Sequence, residues 1–119
     1  MADYEPPYVL AVDVGSSAVK AGLFDSQARS VEDTEVSVAH KQRVASDGTS
    51  EEDAGQILRA TENAIDLVLE KAGRLAAEIV GVGFDCMAST VLGVDADGTP
   101  VTPVYTYACL LYTSPSPRD

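Results

Sequence analysis

The chain is poor in the residues that most often mark a site. It has no tryptophan, a single histidine (His40), two cysteines (Cys86 and Cys109), and 8 lysines and arginines against 19 aspartates and glutamates. Each shortage excludes something. Two cysteines make no disulfide framework and show no metal-ligand spacing. One histidine builds neither a zinc site nor a triad. A net charge of −11 argues against nucleic acid, whose phosphates need clustered Lys and Arg. It argues equally against an anionic membrane surface. No apolar run reaches the ~18 residues of a membrane-spanning helix. The opening, MADYEPPYVL, lacks the basic start and long apolar core of a signal peptide. A soluble protein of the reducing cytoplasm is the expectation. At 119 residues and 45% hydrophobic, the chain is one domain or part of one.

What is present is concentrated near the start. Tyr8 to Asp25 reads YVLAVDVGSSAVKAGLFD. Two short apolar runs, Tyr8 to Val12 and Val19 to Phe24, flank Asp13 and the small-residue turn Gly15-Ser16-Ser17. Runs this short and rich in Val, Leu and Phe predict a β-hairpin. Gly15 lets the backbone bend and a ligand come close. Successive N–H groups in such a turn can converge on one anion, and Ser16 and Ser17 add hydroxyl donors. Asp13 beside a phosphate makes sense when a hydrated Mg²⁺ lies between them. The residues thus propose a nucleotide phosphate site. They fit equally a buried hairpin with a polar turn.

The rest of the chain supplies a frame. Met1 to Pro7 is expected to fray. Ser26 to Ser30 has turn composition, and Val31 to His40 alternates as a strand solvated on one face. Lys41 to Thr49 reads as a loop. Ser50-Glu51-Glu52-Asp53 resembles a capping box, so a helix is expected from Ser50, with its acidic residues at the positive end of the dipole. Ala54, Ile57, Leu58, Ala64, Ile65, Val68 and Leu69 form its apolar stripe, opposite Arg59, Glu62, Asp66 and Glu70. It should stop between Lys71 and Gly73. Ile79 to Phe84 then reads as a strand parallel to an earlier one, closed by Asp85. Thr90 to Val94 and Val101 to Tyr105 should form a hairpin around Asp97-Gly98.

These segments carry a family resemblance. Val12-Asp13-Val14-Gly15-Ser16-Ser17, with Lys20 and Leu23-Phe24-Asp25, resembles the first phosphate motif of the actin-like ATPase superfamily. Gly48 to Asp53, Val80 to Asp85 and Leu92 to Tyr107 follow the order of the FGGY carbohydrate kinases. Gly93-Val94-Asp95 through Thr102-Pro103 is most similar to the gluconokinase-like branch. The resemblance covers Tyr8 to Ala108. It implies an α/β fold, a ribonuclease-H-like (actin-like ATPase) domain present only in part. It implies ATP and Mg²⁺ as cofactors and a small sugar or sugar acid as substrate. Nucleic acid and membrane are not implied, and self-association of the full-length protein is left open.

Residue by residue, the resemblance places Asp13 on Mg²⁺ through water and Gly15, Ser16 and Ser17 on the transferred phosphate. Lys20 matches a position that is often basic, beside that phosphate or the substrate; a solvated surface lysine is the plainer alternative. Asp85, Cys86 and Met87 fall where the sugar would lie, although Asp85 could merely cap a turn and Cys86 merely pack. Glycerol kinases carry Gln-Arg-Glu in this region. Asp85-Cys86-Met87-Ala88 lacks the Arg and Glu, which points toward a gluconate-like or xylulose-like substrate, though no arginine stands ready here for a sugar acid. The catalytic base of the family falls beyond this chain, so the chain by itself is expected to be inactive. An actin-like scaffold of the division or pilus type is the alternative class. A ROK-type kinase would carry Gly-Gly where Gly15-Ser16 stands.

The last eleven residues, Cys109 to Asp119 (CLLYTSPSPRD), break the pattern. Back-translated, they resemble a transposase sequencing adapter read in frame, and a gene fragment is expected: residues 1–108 as the N-terminal part of the first kinase domain, residues 109–119 as an adapter-derived tail. Removing the tail takes out Arg118 and Asp119 and leaves the charge at −11.

Overall fold

A computed structural model describes residues 3–41, 43–44, 46–47 and 50–106. Gly48, Tyr107, Ala108 and the expected tail lie outside the described residues.

The opening hairpin forms as expected. β1 (Tyr8–Val14) and β2 (Ala18–Phe24) pair antiparallel in register from Val9↔Phe24 to Val14↔Val19. Alternation sends Tyr8, Leu10 and Val12 inward with Val19, Ala21 and Leu23, as a strand covered on one face requires. β3 (Val36–Ala39) adds to β2 antiparallel. It is shorter than the expected Val31–His40. The chain turns at Asp33 (φ 65°), and the buried Thr34 takes over one strand bond: its Oγ1 accepts the Leu23 N–H at 3.1 Å. Its own hydroxyl donates to the Val31 carbonyl at 2.7 Å.

The helix starts later than the capping box suggested. α1 spans Ala54–Ala72, and its N-cap is Asp53, which accepts the Gly55 N–H at 3.0 Å. Ser50–Glu52 is instead β5, joined to β4 (Arg43–Val44) on one side and β7 (Val104–Tyr105) on the other. Tertiary strand pairing has overridden a local capping signal. The segment expected as a loop therefore contributes β4 to a small second sheet. The helix stop is where it was expected: Gly73 (φ 56°) caps it and donates to the Leu69 carbonyl.

α1 buries Ala60, Ala64, Val68 and Ala72, a ridge of small residues four apart. It packs over β2 and β3 and reaches β1 less. The charged face of Arg59, Glu62, Asp66 and Glu70 is exposed as expected. Leu58, placed on the apolar stripe, is 60% exposed instead. A 3₁₀ turn (Gly73–Glu78) leads into β6 (Ile79–Cys86). β6 lies parallel to β1, completing the order β3-β2-β1-β6. Three antiparallel strands, a crossover helix and a parallel fourth strand make the ribonuclease-H-like arrangement. The helix does not cover β6, and Val80, Val82 and Phe84 stay exposed.

The last hairpin turns at Asp95, whose Oδ1 accepts the Asp97 and Thr99 N–H groups at 2.9 Å each, with Gly98 at φ 81°. Its far limb brings Val104 against Glu52.

From Asp3 onward the N-terminal lead is anchored rather than frayed. Buried Asp25 accepts from the Glu5, Gln27 and Arg29 N–H groups and from Arg29 Nε at 2.9–3.1 Å. Tyr4 lies beneath the Arg29 guanidinium, 5.7 Å away, and its hydroxyl accepts the Glu32 N–H. Burial alone would raise the Asp25 pKa. The Arg29 side-chain hydrogen bond, with the three backbone donors, wins and holds it well below the usual carboxylate range.

Candidate functional site

Three of the residues singled out in the sequence stand in one row across the sheet. Lys20 on β2 is the register partner of Asp13 on β1, and Asp13 is the register partner of Asp85 on β6. All three are exposed on the face away from α1 and line one end of an open groove floored by Ala11, Gly22 and Gly83. The row sits at the carboxyl ends of the parallel pair, where α/β sheets hold their ligands. Glycines at 22 and 83 keep the floor low, and Phe24 walls the groove.

The turn Gly15-Ser16-Ser17 lies past the end of this groove, two residues on from Asp13. It is closed by the Gly15 N–H donating to the Ala18 carbonyl at 3.0 Å. Glycine is needed at 15 for close approach rather than for a left-handed backbone: a Cβ there would stand 3.0 Å from the Ala18 oxygen. Asp85 uses one oxygen to accept the Cys86 N–H at 3.0 Å. β6 runs one residue past Asp85, so Asp85 sits in the strand rather than closing it. Cys86 is exposed, not packed, and Met87 is half-buried just beyond the strand.

One functional pair went unread in the sequence. His40 is buried under the turn. Its backbone N–H donates to the Ser17 carbonyl at 3.0 Å, and its Nε2 lies 2.8 Å from the Gly15 carbonyl oxygen. Its Nδ1 stands 2.7 Å from Glu52 Oε2, with the two side chains 1% and 0% exposed. Among the described residues neither Glu52 oxygen has a hydrogen-bond donor, so the contact is one of proximity, and it becomes an ion pair only when His40 is protonated. Burial raises the Glu52 carboxyl, and His40 partly offsets this. The signal for His40 was available: it shares parity with Val36 and Val38, which pack on the core, and so points inward. No such signal marked Glu52, because its burial depends on β7, far along the chain.

A second groove, lined by Lys41, Glu51, Asp53 and Gln56 against Pro100–Pro103, gathers carboxylates and no phosphate-type turn. The small-residue turn lies instead beside Asp13. Among the described residues no cluster of three metal-ligating side chains occurs. Mg²⁺ is commonly held by one or two carboxylates plus substrate phosphates and water. Exposed Asp13, beside a tight turn and a lysine, fits such an ion.

An α/β sheet of this topology is the arrangement of the actin-like ATPase fold. The sequence matches the N-terminal domain of the FGGY family of carbohydrate kinases over residues 8–113, and the chain belongs to that family. It is 30% identical over 103 residues to a ribulokinase from Geobacillus thermodenitrificans, covering 79% of this chain and 18% of that protein. It is 33% identical over 103 residues to glycerol kinase 1 of Thermotoga maritima, covering 86% and 20%. The crystal structure of a xyloylose kinase from Brucella ovis superposes with a TM-score of 0.79 at 24% identity, over 86% of this chain and 21% of that one. The chain thus spans about a fifth of the length of these relatives. Among the described residues no helix is long and apolar enough to cross a membrane.

Proposed function

We propose that this chain is the N-terminal part of an ATP-dependent carbohydrate kinase of the cytoplasm. The full-length enzyme would transfer the γ-phosphate of ATP to a hydroxyl of a sugar or sugar acid, gluconate-like or xylulose-like. The observation that carries this reading is the Lys20–Asp13–Asp85 row at the mouth of the Gly15-Ser16-Ser17 turn. Phosphoryl transfer is catalysed mainly by positioning and charge neutralisation. Asp13 would hold Mg²⁺ through water. Gly15, Ser16 and Ser17 would receive the transferred phosphate, with Lys20 neutralising charge beside it. Asp85, Cys86 and Met87 would face the sugar. The base that takes the sugar proton would come from outside these residues, as would the second wall of the ATP cleft. Residues 1–108 are the kinase part in this reading, and residues 109–119 an adapter-derived tail.

The test is ADP release by the full-length protein with gluconate, xylulose, ribulose and glycerol, each with Mg²⁺ and ATP. Turnover with a sugar or sugar acid supports the reading. Nucleotide binding with no turnover on any of the four would favour an actin-like scaffold. The 119-residue chain tested alone should release no sugar-dependent ADP.

A further inference from the structure

A buried ion pair is weak evidence for stability. Desolvating both charges is costly, and apolar replacements are often neutral or better. Here the pair is also poorly satisfied, since neither Glu52 oxygen receives a hydrogen bond. Such departures concentrate where a site needs a fixed geometry. What His40 visibly does is grip the turn from beneath at two points: its main chain holds the Ser17 carbonyl and its ring holds the Gly15 carbonyl. These two carbonyls bracket Ser16.

A carbonyl oxygen can only accept, so the 2.8 Å contact requires a proton on Nε2. Glu52 beside the other ring nitrogen is compatible with this. With Nε2–H committed to the Gly15 carbonyl, Nδ1 is either bare in the neutral ring or protonated in the imidazolium, and only the latter makes a charged pair with Glu52. Glu52 is itself delivered by β5, held between β4 and β7. The second sheet thereby reaches the phosphate turn through one imidazole.

We propose that His40 is a positioning residue for the phosphate turn, its Nε2–H fixing the Gly15 carbonyl and its backbone N–H the Ser17 carbonyl. This rests on the reading of Gly15-Ser16-Ser17 as the phosphate turn. Fixing the Gly15 carbonyl fixes the Gly15–Ser16 peptide plane, and holding the Ser17 carbonyl fixes the Ser17–Ala18 plane, so the turn presents one backbone geometry to an anion. Misplacement of such donors by an ångström costs on the order of 10²-fold in rate.

Two measurements test it. In the full-length protein, His40→Ala should lower kcat by roughly 10²-fold and leave the sugar KM within about twofold, because a turn that meets the transferred phosphate acts in the transition state. His40→Gln, whose amide can still donate to the Gly15 carbonyl, should recover most of the lost rate. Thermal melts identify which variants fold. A folded His40→Ala with wild-type kcat overturns the proposal, and so does a folded His40→Gln no better than Ala. In the chain itself, NMR should show a slowly exchanging His40 Nε2–H with a cross-peak to the Gly15–Ser17 backbone. Fast exchange overturns the proposal even if His40→Ala does not fold. Should the full-length protein phosphorylate none of the four sugars, the kinase reading fails, and the imidazole proton still decides the clamp.

Discussion

Asp13 and Asp85 are direct register partners on neighbouring parallel strands, two carboxylates side by side on the open face of the sheet. Adjacent strands run ~4.8 Å apart, so the two carboxylates share one end of the groove, with Lys20 flanking Asp13 on its other side. Like charges paired this way destabilise a sheet by a few tenths to about 1 kcal/mol. A cation at Asp13, as proposed above, would relieve that repulsion.

The consequence is a trade-off that can be measured. Asp13→Asn removes the repulsion by Asp85 but also the attraction to Lys20, two effects of similar size, so urea unfolding without Mg²⁺ should shift by less than about 0.5 kcal/mol. In the full-length protein, on the proposed reading that Asp13 orients the ion, it should reduce sugar-dependent ADP release by about 10²-fold or more. Asp85→Asn relieves the repulsion without losing an opposite charge, so it should stabilise the fold by about 0.2–1 kcal/mol and act mainly on the sugar KM. Unchanged turnover in Asp13→Asn would remove Asp13 from the metal role.

Gly15→Ala tests the turn without touching charge. The added Cβ would stand 3.0 Å from the Ala18 carbonyl oxygen, the atom that closes the turn. Backbone cannot rotate aside as a flexible side chain would, so the turn must open. A loss of about 1–3 kcal/mol is expected, with a larger proportional fall in turnover than in stability. A change under ~0.5 kcal/mol, typical of an unconstrained surface site, would show that the turn has room to spare.

Much of this architecture was legible from residue order, and the reasons are local. β1, β2 and β6 are short runs of β-branched and apolar residues bounded by turn formers, and α1 carries a charged face and a glycine stop. Asp13, Lys20 and Asp85 could each be named, but not their alignment. That alignment depends on the β1–β6 register, which includes an irregularity between Tyr8 and Val9. Glu52 was misread because the run Ser50-Glu51-Glu52-Asp53 satisfies a capping pattern on its own. Pairing with β4 on one side and with Val104, 52 residues later, on the other turns that segment into a strand and places the buried carboxylate beside His40.

The reassigned cap gives a separate test. Asp53→Ala should cost about 1 kcal/mol, the usual loss of an N-cap side chain. Ser50→Ala, in β5, removes no cap and should stay within ~0.5 kcal/mol. If Ser50→Ala proved the costlier change in urea unfolding, the helix would begin at the capping box after all.

Asp25 predicts the acid limb of stability. Its carboxyl is depressed in the fold: burial works against ionisation, but the Arg29 side chain and the Arg29, Glu5 and Gln27 backbone donors outweigh it. An unfolded aspartate titrates near pH ~3.9. A group whose folded pKa lies below its unfolded one stabilises fully above that value and loses its contribution as pH falls toward the folded one. Asp25→Asn should therefore be less stable than the parent at pH 7, and the gap should narrow steadily below about pH 4. Because Asp25 also anchors Glu5, amide exchange in the N-terminal lead should speed up in the variant. Urea unfolding of both proteins at pH 7 and pH 3 measures the gap directly, and a gap that stays constant between them would show that the Asp25 charge contributes nothing beyond its shape.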